Sequence, residues 1–206
     1  NSESKKVILS LDMNTLEYKP QVKVRFATLG LTKTIDNVVD RFPILINGKD
    51  KAGEFYRKSF TALFAYVQNR IPEISDELYR IDDGLRAGFG WEHGPFQIWD
   101  AVGVETAVEL MKVEGHEVAS WVNDMLKEGN DSFYTVKEGV KYYYDVTSKK
   151  YVKIPGQDSF IILDNIREAK QIWSNSEASI QHLGDGVLNV EFRSKMNSLG
   201  GGVLEA

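Results

Sequence analysis

A mainly α fold, built from several helices with β-hairpins at its edges, is what this sequence predicts, and three observations carry that reading. Over 51–70 the residues Tyr56, Phe60, Leu63, Phe64 and Val67, followed by Ile71, recur at helical spacing and make one wide apolar face. Glycine and proline then punctuate the chain at helix-length intervals, at Pro72, Gly88, Gly90, Gly94-Pro95, Gly103, Gly115 and Gly129. Further along, aromatic and β-branched runs split by polar turns replace the helical pattern, which suits pleated strands.

The elements follow in order. Residues 7–20 alternate loosely around Asp12-Met13-Asn14-Thr15, a turn between two short strands. A weakly helical stretch, 23–36, leads to Arg41-Phe42-Pro43, where proline marks a boundary. Asn47-Gly48-Lys49-Asp50 is a turn, and Asp50 is placed to cap the long helix. Ser75-Asp76-Glu77-Leu78 opens the next helix, with Leu78, Ile81 and Leu85 on one side. Gly88 and Gly90 stop it, because glycine enters the left-handed region without a Cβ penalty. Gly94 followed by Pro95 starts a short helix that Gly103 closes, proline standing where an N–H would have no acceptor. Phe89, Trp91, Phe96 and Trp99 are the bulky anchors expected to pin this stretch.

Two further helices are expected over 104–113, facing inward through Val104, Val108 and Met111, and over 118–126, through Val118, Val122 and Met125. Residues 142–154 form a hairpin around a polar turn at 147–150. A connecting region from Pro155 holds a short segment at 160–163 and a short helix at 165–171. A second hairpin pairs 178–183 with 187–192 around Gly184-Asp185-Gly186. The spacing from Asp12 to Tyr18 repeats from Asp145 to Tyr151, which common hairpin chemistry explains as well as duplication does.

At 206 residues the chain can hold one domain with a sizeable core, or one and a part. A net charge of −5 argues against a nucleic-acid surface, where phosphate neutralisation needs clustered cations. Cysteine is absent, which removes disulfides, thiolate metal sites and cysteine nucleophiles and fits a cytoplasmic protein. The apolar runs fall far short of the ~20 residues that span a bilayer, so no membrane partner is expected. Asn1-Ser2-Glu3-Ser4-Lys5-Lys6 has no apolar core of a signal peptide and no initiator methionine, which suits a processed or excised chain.

A search for chemistry returns little. His93, His116 and His182 lie far apart and none has ligand spacing, so no metal site is expected. Glu92-His93 is the nearest thing to an acid–base pair, but adjacent loop residues generally point apart. Asp82-Asp83 reads as a solvated helix face rather than a catalytic carboxylate pair. Gly88-Phe89-Gly90-Trp91-Glu92-His93-Gly94 looks superficially like a phosphate loop, but a helix precedes it instead of a strand. Gly200-Gly201-Gly202 lacks context, and no catalytic residue is assigned anywhere in the chain.

One ordered set of residues nevertheless points to a family. Asn69-Arg70-Ile71, Ile81-Asp82-Asp83-Gly84-Leu85, Gly88-Phe89-Gly90-Trp91, Gly94-Pro95-Phe96, Trp99-Asp100 and Val102-Gly103 resemble the C-terminal helical domain of 3-hydroxyacyl-CoA dehydrogenases. Ala178-Ser179-Ile180, Leu183-Gly184-Asp185-Gly186-Val187, Glu191-Phe192 and Ser194-Lys195-Met196-Asn197 resemble the first strands of a crotonase, or enoyl-CoA hydratase, domain. This order is that of a bacterial bifunctional enzyme of fatty-acid β-oxidation.

The resemblance implies a helical dehydrogenase C-terminal-like domain over 1–129, a hairpin and connector over 130–175, and the opening strands of a crotonase domain over 176–206. It implies a piece of a larger enzyme whose Rossmann and crotonase domains lie elsewhere. The parent enzyme would use NAD and an acyl-CoA substrate, while this piece holds no cofactor; a homodimer is compatible with the family. Asn69 is the one site residue carried over, as substrate-binding, since the family's asparagine lies near the acyl-CoA. The break at Ile71-Pro72-Glu73 departs from the family's helix and favours a capping role for Asn69 instead. Lys195 stands where crotonases place basic residues near a CoA phosphate, against the plainer reading of a solvated lysine. The rival to the whole reading is a free-standing helical interaction module that binds a partner through exposed Trp or Tyr faces.

Overall fold

The computed structural model describes residues 7–206, apart from the side chain of Glu168. The expectations for Asn1-Ser2-Glu3-Ser4-Lys5-Lys6 lie outside the described residues. The chain forms two compact units that divide between Phe60 and Thr61, inside one helix.

In the first unit, β1 (Leu9–Leu11) and β2 (Tyr18–Pro20) pair antiparallel. The Asp12 carboxylate builds their turn by accepting the Asn14 and Thr15 N–H groups at 2.9 and 3.3 Å. Two short helices follow, α1 (Ala27–Thr32) and α2 (Arg41–Asn47). Pro43 therefore does not mark a boundary, as expected, but sits inside the first turn of α2. N–H groups there have no intrahelical acceptor, so proline costs no bond. Asp50 caps α3 (Lys51–Gln68) as its sequence position implies: it accepts Gly53 N–H at 3.0 Å, and Thr28 donates to it through both N–H and Oγ1. Those donors, the Thr28 N–H first, hold the Asp50 carboxyl down at about 2.

The second unit opens with the rest of α3 and continues through α4 (Leu78–Phe89), α5 (Pro95–Val102), α6 (Val104–Val113) and α7 (Ser120–Lys127). Phe64, Phe96, Trp99, Met111, Val122, Met125 and Phe133 are completely buried and form its core. Trp99 stacks on Phe64 with ring centroids 4.8 Å apart and meets Phe133 edge-on at 5.0 Å. Gln68, also buried, closes the end of α3 onto the segment before α7. Its amide donates to Glu117 O and accepts from Ala119 N–H, both at 2.8 Å. Two of the four expected anchors are absent from this core: Phe89 is 75% exposed and Trp91 is 38% exposed. They stand at the end of α4 and in the loop beyond it, outside the faces that meet α5. Gly88 is likewise inside α4, and Gly90 alone ends it, with φ at 67°.

Two three-stranded antiparallel sheets complete the unit. The first adds β3 (Tyr134–Lys137) to the expected hairpin of β4 (Val140–Asp145) and β5 (Lys150–Lys153). Its β4–β5 turn repeats the β1–β2 turn: Leu16 and Lys149, each four residues after an aspartate, both adopt φ of 56° and donate to that aspartate's carbonyl. The second sheet follows α8 (Leu163–Lys170) and orders β6 (Gln171–Ser174), β7 (Ala178–Gly184) and β8 (Val187–Phe192); the short helix α9 (Gly201–Leu204) ends the chain. Ser179 and Gln181 are fully buried on one face of it, bonded to Glu191 at 3.2 and 3.1 Å, and Arg167 of α8 binds the same carboxylate at 2.6 Å. Leu188, Val190 and Phe192 alternate onto the opposite face and remain exposed. The polar face of this sheet is covered and its apolar face is open.

Candidate functional site

Where α4, α5 and β3 meet, two aspartates organise the backbone. Asp82 lies on α4 and is 1% exposed. Gly94, the residue that starts α5, has no side chain with which to cap it, and Asp82 supplies the cap from the neighbouring helix. One carboxylate oxygen accepts Phe96 N–H at 2.9 Å; the other accepts Gln97 N–H at 3.0 Å and the Tyr134 hydroxyl at 2.8 Å. Gln97 completes the arrangement by accepting Gly94 N–H at 2.9 Å. A Cβ on Gly94 would overlap Asp82, so the absence of a side chain at 94 is what admits the aspartate. Asp82 is thus no part of a solvated face, contrary to the sequence reading; only its neighbour Asp83 is exposed.

Asp100, on the last turns of α5, does the same for β3. Its two oxygens accept Phe133 N–H at 2.7 Å and Tyr134 N–H at 2.9 Å, which fixes where the strand begins. Burial pushes both carboxyls up, Asp82 to about 6 and Asp100 to about 7, against the pull of these donors. Burial beside Asp82 also raises the Tyr134 hydroxyl well above its ordinary range. Five protein donors occupy the two carboxylates, so their chemistry here is that of hydrogen-bond acceptors holding a helix start and a strand start.

Beside this pair a pocket of about 480 Å3 opens, lined by Tyr79, Arg86, Tyr134, Lys141, Phe160 and Asn165 among others. Lys141 Nζ stands 4.3 Å from the centre of the Tyr134 ring. Gln157 forms part of the pocket wall: its side chain accepts Lys141 N–H and donates to Lys141 O, and Asn165 donates to it in turn. A separate apolar groove of about 480 Å3 runs between α3 and α4, lined by Leu63, Val67, Ile81 and Leu85 together with Arg70 and Arg80. Arg70 lies over the Tyr66 ring at 4.7 Å and pairs with Glu73 at 2.8 Å.

Of the residues singled out from sequence, only Glu92 and His93 meet, their side chains turned toward each other rather than apart. Asn69 is exposed just past α3 and donates to Ala65 O at 2.9 Å, one turn back. His93 is partly buried and 3.7 Å from Glu92, while His182 is exposed on β7 and Lys195 is exposed in a 3₁₀ turn, Lys195–Asn197. Among the described residues no group of three or more His, Asp or Glu side chains is placed to hold a metal ion, and no helix is long and apolar enough to cross a membrane. The glycine run lies between two helices, α4 and α5, and so lacks the strand-to-helix turn that cradles a dinucleotide pyrophosphate. Sequence reading missed Asp100, Tyr134 and Lys141 as a group. Asp100 was visible inside the family-like motif, but its partners lie more than thirty residues downstream and only the tertiary fold joins them.

Comparison with known proteins matches most of the chain to parts of much longer proteins named for 3-hydroxyacyl-CoA dehydrogenase or fatty acid oxidation. A Bacillus subtilis protein named "Probable 3-hydroxyacyl-CoA dehydrogenase" is 33% identical over 196 residues, 95% of this chain and 25% of its own length. A Rickettsia prowazekii protein named as a fatty acid oxidation complex trifunctional enzyme is 25% identical over 198 residues, 96% of this chain and 23% of its own. The chain therefore spans about a quarter of the length of these relatives. No family model matches the chain, and no solved structure matches it.

Proposed function

We propose that this chain is a noncatalytic part of a multidomain, cytoplasmic 3-hydroxyacyl-CoA dehydrogenase of fatty-acid β-oxidation, fused to an enoyl-CoA hydratase. Its role in that reading is mechanical: the helices complete the wall of the dehydrogenase and the C-terminal strands lead into the hydratase. The observation that carries the proposal is the likeness to the Bacillus subtilis protein, which runs through nearly the whole chain. Two structural features support it. The acidic residues of the family-like motif, Asp82 and Asp100, are committed to backbone amides, as a scaffold requires. The open apolar face of β7 and β8 suits a sheet that another part of a larger protein covers.

On this proposal the division is a helical domain over 1–129, a connector over 130–175 and the start of a hydratase domain over 176–206. NAD and the acyl-CoA substrate belong to the parent enzyme. The residues here do not fit NAD, and no step is assigned to it. Asn69, bonded to its own helix, acts as a cap in this reading.

A second reading, a free-standing interaction module, is favoured by the exposure of Tyr66, Phe89 and Trp91. Sequencing the gene on both sides separates the two. A Gly-x-Gly-x-x-Gly turn encoded upstream and a crotonase sequence downstream are expected; a start codon directly before Asn1 and a stop directly after Ala206 would leave only the module.

A further inference from the structure

Two cations from different elements converge on the pocket beside Asp82, Arg86 from α4 and Lys141 from β4. They are close enough that burial and, in part, the Arg86 guanidinium push the Lys141 amine below its ordinary range, against the pull of Asp82 and Asp100. Among the described residues no acceptor lies within hydrogen-bonding or ion-pairing distance of the Lys141 ammonium; its contact is the face of the Tyr134 ring. With no acceptor from the protein, the donors of this half-buried group are turned toward whatever occupies the pocket.

Of the anionic side chains around the pocket, Asp82, Asp100 and Asp164 are engaged by other donors, and Asp83 stands beside Arg86. The oxygens of Asp82 and Asp100 are occupied by five donors. Asp164 at the pocket mouth pairs with Arg167 at 2.7 Å, and Asp83 makes only a long contact of 3.4 Å with Arg86. Burial pushes the His93 imidazole below its ordinary value, toward the neutral form. Lys141 and Arg86 therefore face the cavity as its cations, Arg86 held only by its long contact with Asp83. An apolar wall of Ile154, Pro155, Phe160 and Ile162 completes the lining.

We propose that this pocket binds a monocarboxylate with a short alkyl body, its carboxylate between Lys141 and Arg86 and its chain along that wall. A monoanion matches one uncompensated ammonium, whereas a dianion such as phosphate meets too little positive charge and the nearby aspartates. The volume falls in the range of small-molecule sites.

Calorimetric titration of the 206-residue chain with sodium hexanoate tests this, with sodium phosphate and 1-hexanol as comparators. Saturable binding at one site is expected, and Lys141→Met and Arg86→Gln should each weaken it about tenfold. No saturation by about 50 mM hexanoate, tighter binding of phosphate, equal binding of hexanol, or unchanged affinity in both variants overturns the proposal. If Lys141→Met fails to fold, reductive methylation of the unaltered chain decides. Hexanoate should slow modification of Lys141 about threefold or more relative to exposed Lys112 and Lys127, and equal rates at all three overturn the site.

Discussion

Asp82 and Gly94 make one device from two residues, each of which reads as something else in isolation. The aspartate caps α5 from α4, and the glycine is there because a side chain would occupy the aspartate's place. Asp82→Ala removes an acceptor from three donors in a dry site and should cost about 2–4 kcal/mol in chemical denaturation; a loss below about 1 kcal/mol would deny it the cap. Gly94 and Gly90 are glycines for different reasons. Gly90 has φ of 67° and open space where a Cβ would go, so Gly90→Ala should cost only about 1 kcal/mol for the left-handed backbone. Gly94 has an ordinary φ and no room, so Gly94→Ala should cost about 3 kcal/mol. Equal losses in the two variants would contradict this assignment.

The same aspartates set a pH dependence. Burial raises them to about 6 and about 7 in the folded chain, so the folded state binds their protons more tightly than the unfolded chain does. Their contribution is complete below the unfolded value of about 4 and is lost as pH rises through 6 and 7. Unfolding free energy should therefore fall between pH 5 and 8, by on the order of 2 kcal/mol. Stability that is flat or rising over that interval would show that the five donors outweigh burial.

Among the elements, the helices from α3 to α7 were legible in the sequence because each carries its own signals. α3 has an unbroken apolar face and an aspartate cap; α5 has Gly94-Pro95 before it and Gly103 after it. What failed was whatever depends on a distant partner. β3 and β6 are four residues each and become strands only by pairing with β4 and β7. α2 was hidden because proline breaks a helix interior but is harmless in its first turn. Asp82 looked solvated because its neighbour is, and nothing in a one-dimensional pattern brings Tyr134 to it. The second sheet inverts the usual rule, burying Ser179 and Gln181 beneath α8. Its Arg167–Glu191 pair holds the Glu191 carboxyl below its ordinary range and fastens α8 to β8. Glu191→Ala strands three donors at once and should cost about 2–3 kcal/mol, with faster amide exchange along β7 and β8; unchanged exchange there would show that α8 is held by other contacts.

At the scale of the whole molecule, the chain combines a well-packed aromatic core with two apolar surfaces left open, the groove between α3 and α4 and the outer face of β7 and β8. The proposal drawn from its likeness to much longer dehydrogenase and fatty acid oxidation proteins accounts for both features, as a scaffold that other parts of an enzyme cover. The glycine–aromatic stretch from Asp83 to Gly103 belongs to that scaffold, with Phe96 and Trp99 in the core and Asp100 tying down β3. Absorbance at the nicotinamide wavelength tests this most directly, with the 206-residue chain and the full-length natural protein assayed side by side on NAD and a 3-hydroxyacyl-CoA. NADH should form with the full-length protein and not with the chain alone. Enzyme-like turnover by the isolated chain, or none by the full-length protein, would contradict the account.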